Sequence, residues 1–127
     1  MSIKTVYYSH PKVTKNSNQA RADVIFLELL GFQVENPYHS KYQDCWEELG
    51  ISFGRTLVEL YDAIAFRPTE DERISAGVAK ELKWAVELNK TIFKLPQIEE
   101  IQYTVNDIEE LEMSIEETVH YFKTFKE

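Results

Sequence analysis

Glu81 is the residue whose type and position could do chemistry. It lies in the stretch SAGVAKELKWAVELNKTIFKLP, Ser75–Pro96, which reads as a helix running to Asn89 and a strand over Thr91–Leu95, halted by Pro96. Counting about 100° per residue from Val78, Leu82, Ala85 and Val86 form the inward stripe, while Lys80, Lys83 and Glu87 cluster on the far side. Glu81 falls between Ala85 and Leu88, inside the apolar arc. A carboxylate there must find hydrogen-bonding partners, remain protonated, or face a cavity that admits a ligand. Two readings are open from periodicity: an acid at the edge of the core paired to an arginine or a backbone amide, and a functional acid. Other reactive types offer less. His39 and His120 have no metal-ligand spacing with a Cys, His or acid cluster, so no metal and no cofactor is expected. Cys45, the single cysteine, lacks a nucleophile's signature and reads as a small apolar filler.

The elements that would position Glu81 follow from the pattern of the chain. Ile3–Tyr8 is β-branched and aromatic and ends at Ser9-His10-Pro11, a first strand. Gln19–Leu30 carries apolar residues at Ala20, Val24, Leu27 and Leu30, with Ile25, Phe26 and Leu29 widening the face, and stops at Gly31: a helix packed on a sheet. Phe32–Asn36 is a short strand closed by Pro37, and Tyr38–Gly50 a long aromatic and polar connection of the kind that often overlies a binding site. Phe53–Tyr61 reads as a helix, Asp62–Arg67 as a buried strand, and Thr69–Ile74 as a loop into the Ser75 helix. An edge strand near Ile101–Val105 and a final helix capped by Ser114, with a stripe of Ile115, Val119, Phe122 and Phe125, complete the chain.

Strands alternating with helices imply right-handed crossovers and a three-layer, doubly wound α/β domain. Its sheet is expected to be mainly parallel, with about four to five strands, of the flavodoxin or Rossmann-like kind. Ligands in such sheets bind beyond the carboxyl ends of the strands. Three stretches reach that edge: the turn after Tyr8 with Ser9 and His10, the Asn36-Pro37 turn, and the loop from Arg67 into the helix that opens at Ser75 and Gly77. That helix start has backbone N–H groups and a positive dipole end suited to a phosphate or a sugar hydroxyl.

Composition bounds the partners. A chain of 127 residues fits one domain, 1–127. The excess of 22 Asp+Glu over 14 Lys+Arg argues against general nucleic-acid binding, so an anionic ligand must be small and held locally. One cysteine excludes an intrachain disulfide and suits a reducing compartment. No signal peptide or membrane span is expected, which makes a cytoplasmic protein the expectation.

Four pieces in register resemble the nucleoside 2-deoxyribosyltransferase-like superfamily, and especially its 2′-deoxynucleoside 5′-monophosphate N-hydrolase branch. SAGVAKELKWAVELNKTIF resembles the S-x-G-x-x-x-E-x-x-x-A segment and its following strand. KTVYYSHP resembles the opening strand, GFQVENP the second, and LVELYDAIAFRP the third with its leading aspartate; together they span roughly residues 3–96. The resemblance implies cleavage or transfer of the N-glycosidic bond of a small nucleoside or nucleoside 5′-monophosphate, with Glu81 as nucleophile and Tyr7 positioning it. It also implies that Ser75 contacts the phosphate or sugar, that Gly77 allows close backbone approach, that Asp62 is the third-strand aspartate, and that the protein is a homodimer or higher homo-oligomer.

Two departures matter. Many members carry an aspartate eight positions before the one matching Asp62, where it assists the leaving base; here that position is Gly54, followed by Arg55. The acid could come from Glu59, Asp62 or a neighbouring subunit. The glycine-rich first turn is replaced by Ser9-His10-Pro11-Lys12, which leaves His10, Lys12, Lys15, Arg21 and Arg55 as phosphate-holding candidates. A non-catalytic nucleotide-binding module on the same fold is the alternative. Tyr38, Tyr42 and Trp46 either stack on a base or cover the sheet edge.

Overall fold

The computed structural model describes residues 3–38, 40–50 and 52–123. In chain order the elements are β1 (Thr5–Ser9), α1 (Asn18–Leu29), β2 (Gln33–Glu35), α2 (Gln43–Leu49), α3 (Ser52–Leu60), β3 (Ala63–Phe66), α4 (Ala76–Glu87), β4 (Thr91–Lys94), β5 (Glu99–Ile101), α5 (Val105–Leu111) and α6 (Ile115–Phe122). The sheet order is β2-β1-β3-β4-β5. The first four strands are parallel and β5 is antiparallel to β4. This is the expected three-layer α/β fold. Its strand order reverses between β1 and β3, which makes the carboxyl ends of those two strands the natural place for a ligand.

Side-chain alternation along the strands divides the core in two. Tyr7, Ile64, Phe66 and Ile92 point to the face covered by α3, α4 and α5, where they pack on Leu57, Val78, Leu82, Ala85 and Ile108. Val6, Tyr8, Ala63, Ala65 and Phe93 point to the other face, onto Ala20 and Leu27 of α1. Consecutive residues of β1 therefore serve different purposes: Tyr7 and Ser9 face α4, and Tyr8 faces α1.

On the α1 face a buried polar cluster fastens the helix. Asp23 accepts hydrogen bonds from the Tyr8 hydroxyl (2.7 Å) and, in a fork, from Arg67 Nε (3.1 Å) and Nη2 (2.6 Å). The Asp23 side chain is 4% exposed and that of Arg67 26% exposed, so removing the guanidinium strands an acid in the core. Arg67→Ala is expected to cost about 3 kcal/mol, read as an earlier midpoint in urea with an unchanged slope.

Several expectations are corrected. The α1 face is narrower than the apolar residues suggest: Ile25, Phe26, Leu29 and Leu30 are exposed, because the helix meets the sheet through the stripe of Ala20, Asp23, Val24 and Leu27. The long connection after Pro37 holds a 3-10 turn and α2. The edge strand lies at Glu99–Ile101, and residues 102–104 lead into a further helix, α5, that begins at Val105. On α6, Ile115 and Val119 are exposed and Phe122 is half-buried, while Phe125 lies outside the described residues. Other expectations hold. Gly31, at φ 97°, ends the first helix, as only a residue without a Cβ does readily. Ser114 caps α6, in a capping box with Glu117.

Two features hold α6 beside the start of α4. Ile74 exchanges backbone bonds with Leu111 and Met113, and Arg73 donates to Glu117 (2.7 Å) and to the Glu112 carbonyl (3.0 Å). No helix among the described residues is long and apolar enough to cross a membrane.

Candidate functional site

Glu81 sits on α4, between Val78 and Ala85 on the helix side that faces the carboxyl end of β1. Alternation along β1 brings two hydroxyls to it. Ser9 Oγ donates to Oε1 at 2.7 Å, and the Tyr7 hydroxyl donates to Oε2 in a short bond. Among the described residues no arginine is paired with it. Burial pushes the carboxyl up to about 7 from an ordinary 4.5, and the bonds from Tyr7 and Ser9 oppose that rise. Burial, with the charge of Glu81 beside it, holds the Tyr7 hydroxyl well above the usual tyrosine range, so it stays a donor throughout the working range of pH. The acid is thus poised near neutrality, with both oxygens oriented.

Tyr7→Phe removes the donor that favours the charged form, so the Glu81 pKa is expected to rise further. Any reaction requiring the carboxylate should slow by roughly 10- to 100-fold at pH 7, with recovery at higher pH. A pH–rate profile of the variant checks this; an unshifted acid limb would count against Tyr7 as the group that positions and tunes Glu81.

The carboxylate opens on a cavity of about 690 Å³, well inside the range of small-molecule sites. Its walls come from five regions. The connection after β1 supplies His10, Lys12 and Lys15; α2 and its approach supply Tyr38, Gln43, Trp46 and Glu47; Gly54 belongs to α3; and Ser75, Gly77, Val78 and Trp84 flank Glu81 on α4, with Thr118 from α6 beside them. Aromatic contacts fix the α2 wall. Trp46 donates to the Pro37 carbonyl at 2.7 Å, stacks on Tyr38 with centroids 6.2 Å apart, and meets Phe53 edge-on at 4.9 Å. Tyr38 and Trp46 line the cavity, whereas Tyr42 packs on Phe53 and the core, covering the sheet edge.

His10 is buried against Tyr8, which it stacks on at 4.5 Å, and its ring Nδ1 is 3.2 Å from the Tyr8 carbonyl. Burial pushes its pKa down to about 4, so the ring is neutral at pH 7 and donates from Nδ1. Its Nε2 then carries a lone pair with no partner among the described residues. Ser75 occupies the N-cap position of α4, but its hydroxyl makes no capping bond. The first helical amide, Ala76 N–H, is taken by Thr118 Oγ1 at 2.9 Å. Trp84, Gln43, Glu47 and Thr118 were not singled out from the sequence. Trp84 follows Glu81 by nearly one turn and could have been found by the same helical count; the others carry no local signal.

The structure brings together Glu81, Tyr7, Ser9, His10, Ser75 and Gly77, with Lys12, Lys15, Tyr38 and Trp46 on the same cavity, but not Asp62, Arg67, Asn36, Arg21, Arg55 or Glu59. Asp62 is corrected: it lies at the opposite, amino end of β3, where the amides of Lys4 (2.9 Å) and Thr5 (3.1 Å) donate to its carboxylate and hold its pKa below the usual range. Arg67 is corrected, being bound to Asp23 on the other face of the sheet. Asn36 is also off the cavity wall; its Oδ1 accepts from the Tyr38 amide at 2.9 Å. Of the candidate cations, Lys12 and Lys15 reach the cavity, while Arg55 pairs with Glu87 and Arg21 with Asn18. Glu59 does not line it, and no group of three or more potential metal-ligating His, Cys, Asp or Glu exists among the described residues.

No protein-family model matches this sequence, and no curated protein matches it. Among solved structures, the Clostridium botulinum CMP N-glycosidase BcmB is similar over 96% of this chain and 100% of its own, with a TM-score of 0.52 and 18% identity. At that identity the likeness shows the fold: this chain carries the three-layer α/β fold of a CMP N-glycosidase, the fold that the resemblance to the nucleoside 2-deoxyribosyltransferase-like superfamily implies.

Proposed function

We propose that this chain cleaves the N-glycosidic bond of a nucleoside or nucleoside 5′-monophosphate, with Glu81 as the nucleophile. One observation carries the reading: a carboxylate poised near neutral pH, oriented by Tyr7 and Ser9, opens on a cavity with aromatic walls and two lysines. The CMP N-glycosidase with the same fold supports it.

In the proposed reaction a Glu81 oxygen attacks the anomeric carbon. The bond from that carbon to the base nitrogen breaks, and its electron pair leaves with the base, which takes a proton from solvent or a cavity group. A glycosyl ester on Glu81 results. Water then attacks the same carbon and gives up a proton, releasing the sugar and restoring the carboxylate; another base in place of water would make the reaction a transfer. Lys12, Lys15 and the start of α4 supply the positive surroundings a 5′-phosphate needs. Tyr38, Trp46 and Trp84 supply faces on which a base can stack.

A second reading, a binding module that retains the pocket without turnover, is favoured by Gly54, which leaves no acid at the position that assists the leaving base in many proteins of the resembled superfamily. Incubation with a panel of nucleosides and 5′-monophosphates, followed by chromatography for free base, separates the two. A 2-fluoro sugar analogue is expected to leave a covalent sugar on Glu81, seen by mass spectrometry of the peptide. Binding with neither release nor adduct would sink the enzyme reading.

A further inference from the structure

We propose that Gln43 and Glu47, one turn apart on α2, read the edge of the base and select those that carry an exocyclic amine beside a ring-nitrogen acceptor, cytosine or adenine, over their oxo counterparts. The inference rests on the reading that the cavity takes a nucleoside or nucleotide. Among the residues lining that cavity, Glu81 and Glu47 are the carboxylates, and Glu81 is engaged by Tyr7 and Ser9. Glu47 is therefore the acid left to meet the part of a ligand that does not react.

Its orientation is set by its neighbour. Gln43 Nε2 donates to Glu47 Oε1 at 3.3 Å, which fixes the amide with its nitrogen toward the acid. The amide nitrogen keeps a second N–H, and Glu47 keeps its other oxygen, so the pair offers a donor beside an acceptor. Cytosine, with N3 and its 4-amino group, and adenine, with N1 and its 6-amino group, present the complementary acceptor and donor. In the register that sets the ring nitrogen against Gln43 and the exocyclic group against Glu47, uracil and hypoxanthine put donor against donor and oxygen against carboxylate. A carboxylate cannot exchange acceptor for donor by turning, as an amide can.

The surroundings place a base at this end of the cavity. Trp46 lies on α2 to one side of the two readers, and Trp84 faces it across the space left by Gly54, beside Glu81: a Cβ there would meet Glu81 Oε2 at 3.1 Å, Trp84 at 3.3 Å and Trp46 at 3.5 Å. The cavity's lysines, Lys12 and Lys15, come from the connection after β1 and not from α2. Lys12 also borders a second hollow, with Val119 and Phe122 of α6, so a phosphate drawn to it leaves the α2 wall to the base.

The test compares Glu47→Gln with the natural chain, because a glutamine can turn its amide and offer either a donor or an acceptor. Glu47 is exposed, so the substitution leaves the core untouched. Release of base from CMP, UMP, AMP and IMP is measured as kcat/KM, and binding of the same four by calorimetry. The natural chain is expected to prefer CMP over UMP, and AMP over IMP, by roughly 10- to 100-fold, the discrimination typical of a paired hydrogen-bonding contact; Glu47→Gln should reduce both ratios to within about threefold. Unchanged ratios would overturn the proposal, as would an equal loss on all four, which would make Glu47 an aid to the leaving group. If no base is released but the binding preferences follow the expected pattern, the enzymatic reading fails and the assignment of the base-reading pair stands. Equal binding of all four, or binding of none, overturns the assignment.

Discussion

Glu81→Gln is expected to lower base release by roughly 10⁴-fold or more and to make the protein more stable above neutral pH. The catalytic loss follows because the amide has no electron pair with which to form a glycosyl ester, while its size and contacts stay close to those of the acid. An amide oxygen can still accept from one of Tyr7 and Ser9, and its nitrogen can donate to the other hydroxyl. The gain in stability follows from linkage. The folded state raises the pKa of Glu81 from 4.5 to about 7, so it holds the proton more tightly than the unfolded chain does. Below about 4.5 the acid is protonated in both states and carries no penalty. Between about 4.5 and 7 the unfolded chain ionises this acid while the folded chain keeps it protonated, so stability falls across that window by an amount on the order of 3 kcal/mol and levels off above it.

Glutamine never ionises, so the variant should match the natural chain near pH 4 and melt several degrees higher at pH 8. Thermal unfolding at the two values, with base release measured in parallel, checks both halves. For the natural chain kcat/KM should climb through an acid limb near 7, since the carboxylate form attacks. Base release retained by the variant would remove Glu81 from the reaction. A stability difference independent of pH would show that its desolvation is not what shifts its pKa.

How much of this was legible in the sequence depends on the range of the interaction that sets each residue. Glu81 stands out because helical periodicity is local: a handful of neighbours suffice to place an acid in an apolar arc. Tyr7 and Ser9 share a face by strand alternation, which is equally local, and both reach Glu81 because β1 lies in the sheet beneath α4. Residues fixed by contacts between distant segments were opaque. Asp62 and Asp23 are both aspartates beside apolar residues, yet Asp62 caps backbone amides at the remote end of the sheet, and Asp23 anchors Tyr8 and Arg67. Only the sheet's geometry tells them apart. The helix α2 escaped notice because seven residues rich in polar and aromatic types show no clear stripe; its place is fixed by Trp46 against Phe53 and the Pro37 carbonyl. On α1 the apolar run overstated the contact, since a helix meets the small Ala63 and Ala65 through a narrow stripe and leaves Leu29 and Leu30 outside.

Gly54 supports the second large effect, because the missing side chain is what leaves Glu81 its space. A Cβ at this position would lie 3.1 Å from Glu81 Oε2, closer than ordinary contact, and 3.3 Å from Trp84. In a helix interior alanine is otherwise favoured over glycine by roughly 0.5–1 kcal/mol. Gly54→Ala should therefore fold with stability within about 1 kcal/mol of the natural chain, the helix gain offsetting the crowding. Its base release should drop by roughly 10- to 100-fold, because a shift of a few tenths of an ångström at the nucleophile spoils its approach to the anomeric carbon.

Gly54→Asp tests the site harder, since it restores the acid found in many members of the resembled superfamily. Here it would bring a second carboxyl against Glu81 Oε2, and like charges that close cannot both ionise cheaply. The expected results are an acid limb moved up by about one unit or more and a loss of base release beyond that of the alanine variant. A gain in rate instead would mean that the acid aids the departing base and that Gly54 marks a lost function; the space beside Glu81 would then not be what the substrate needs.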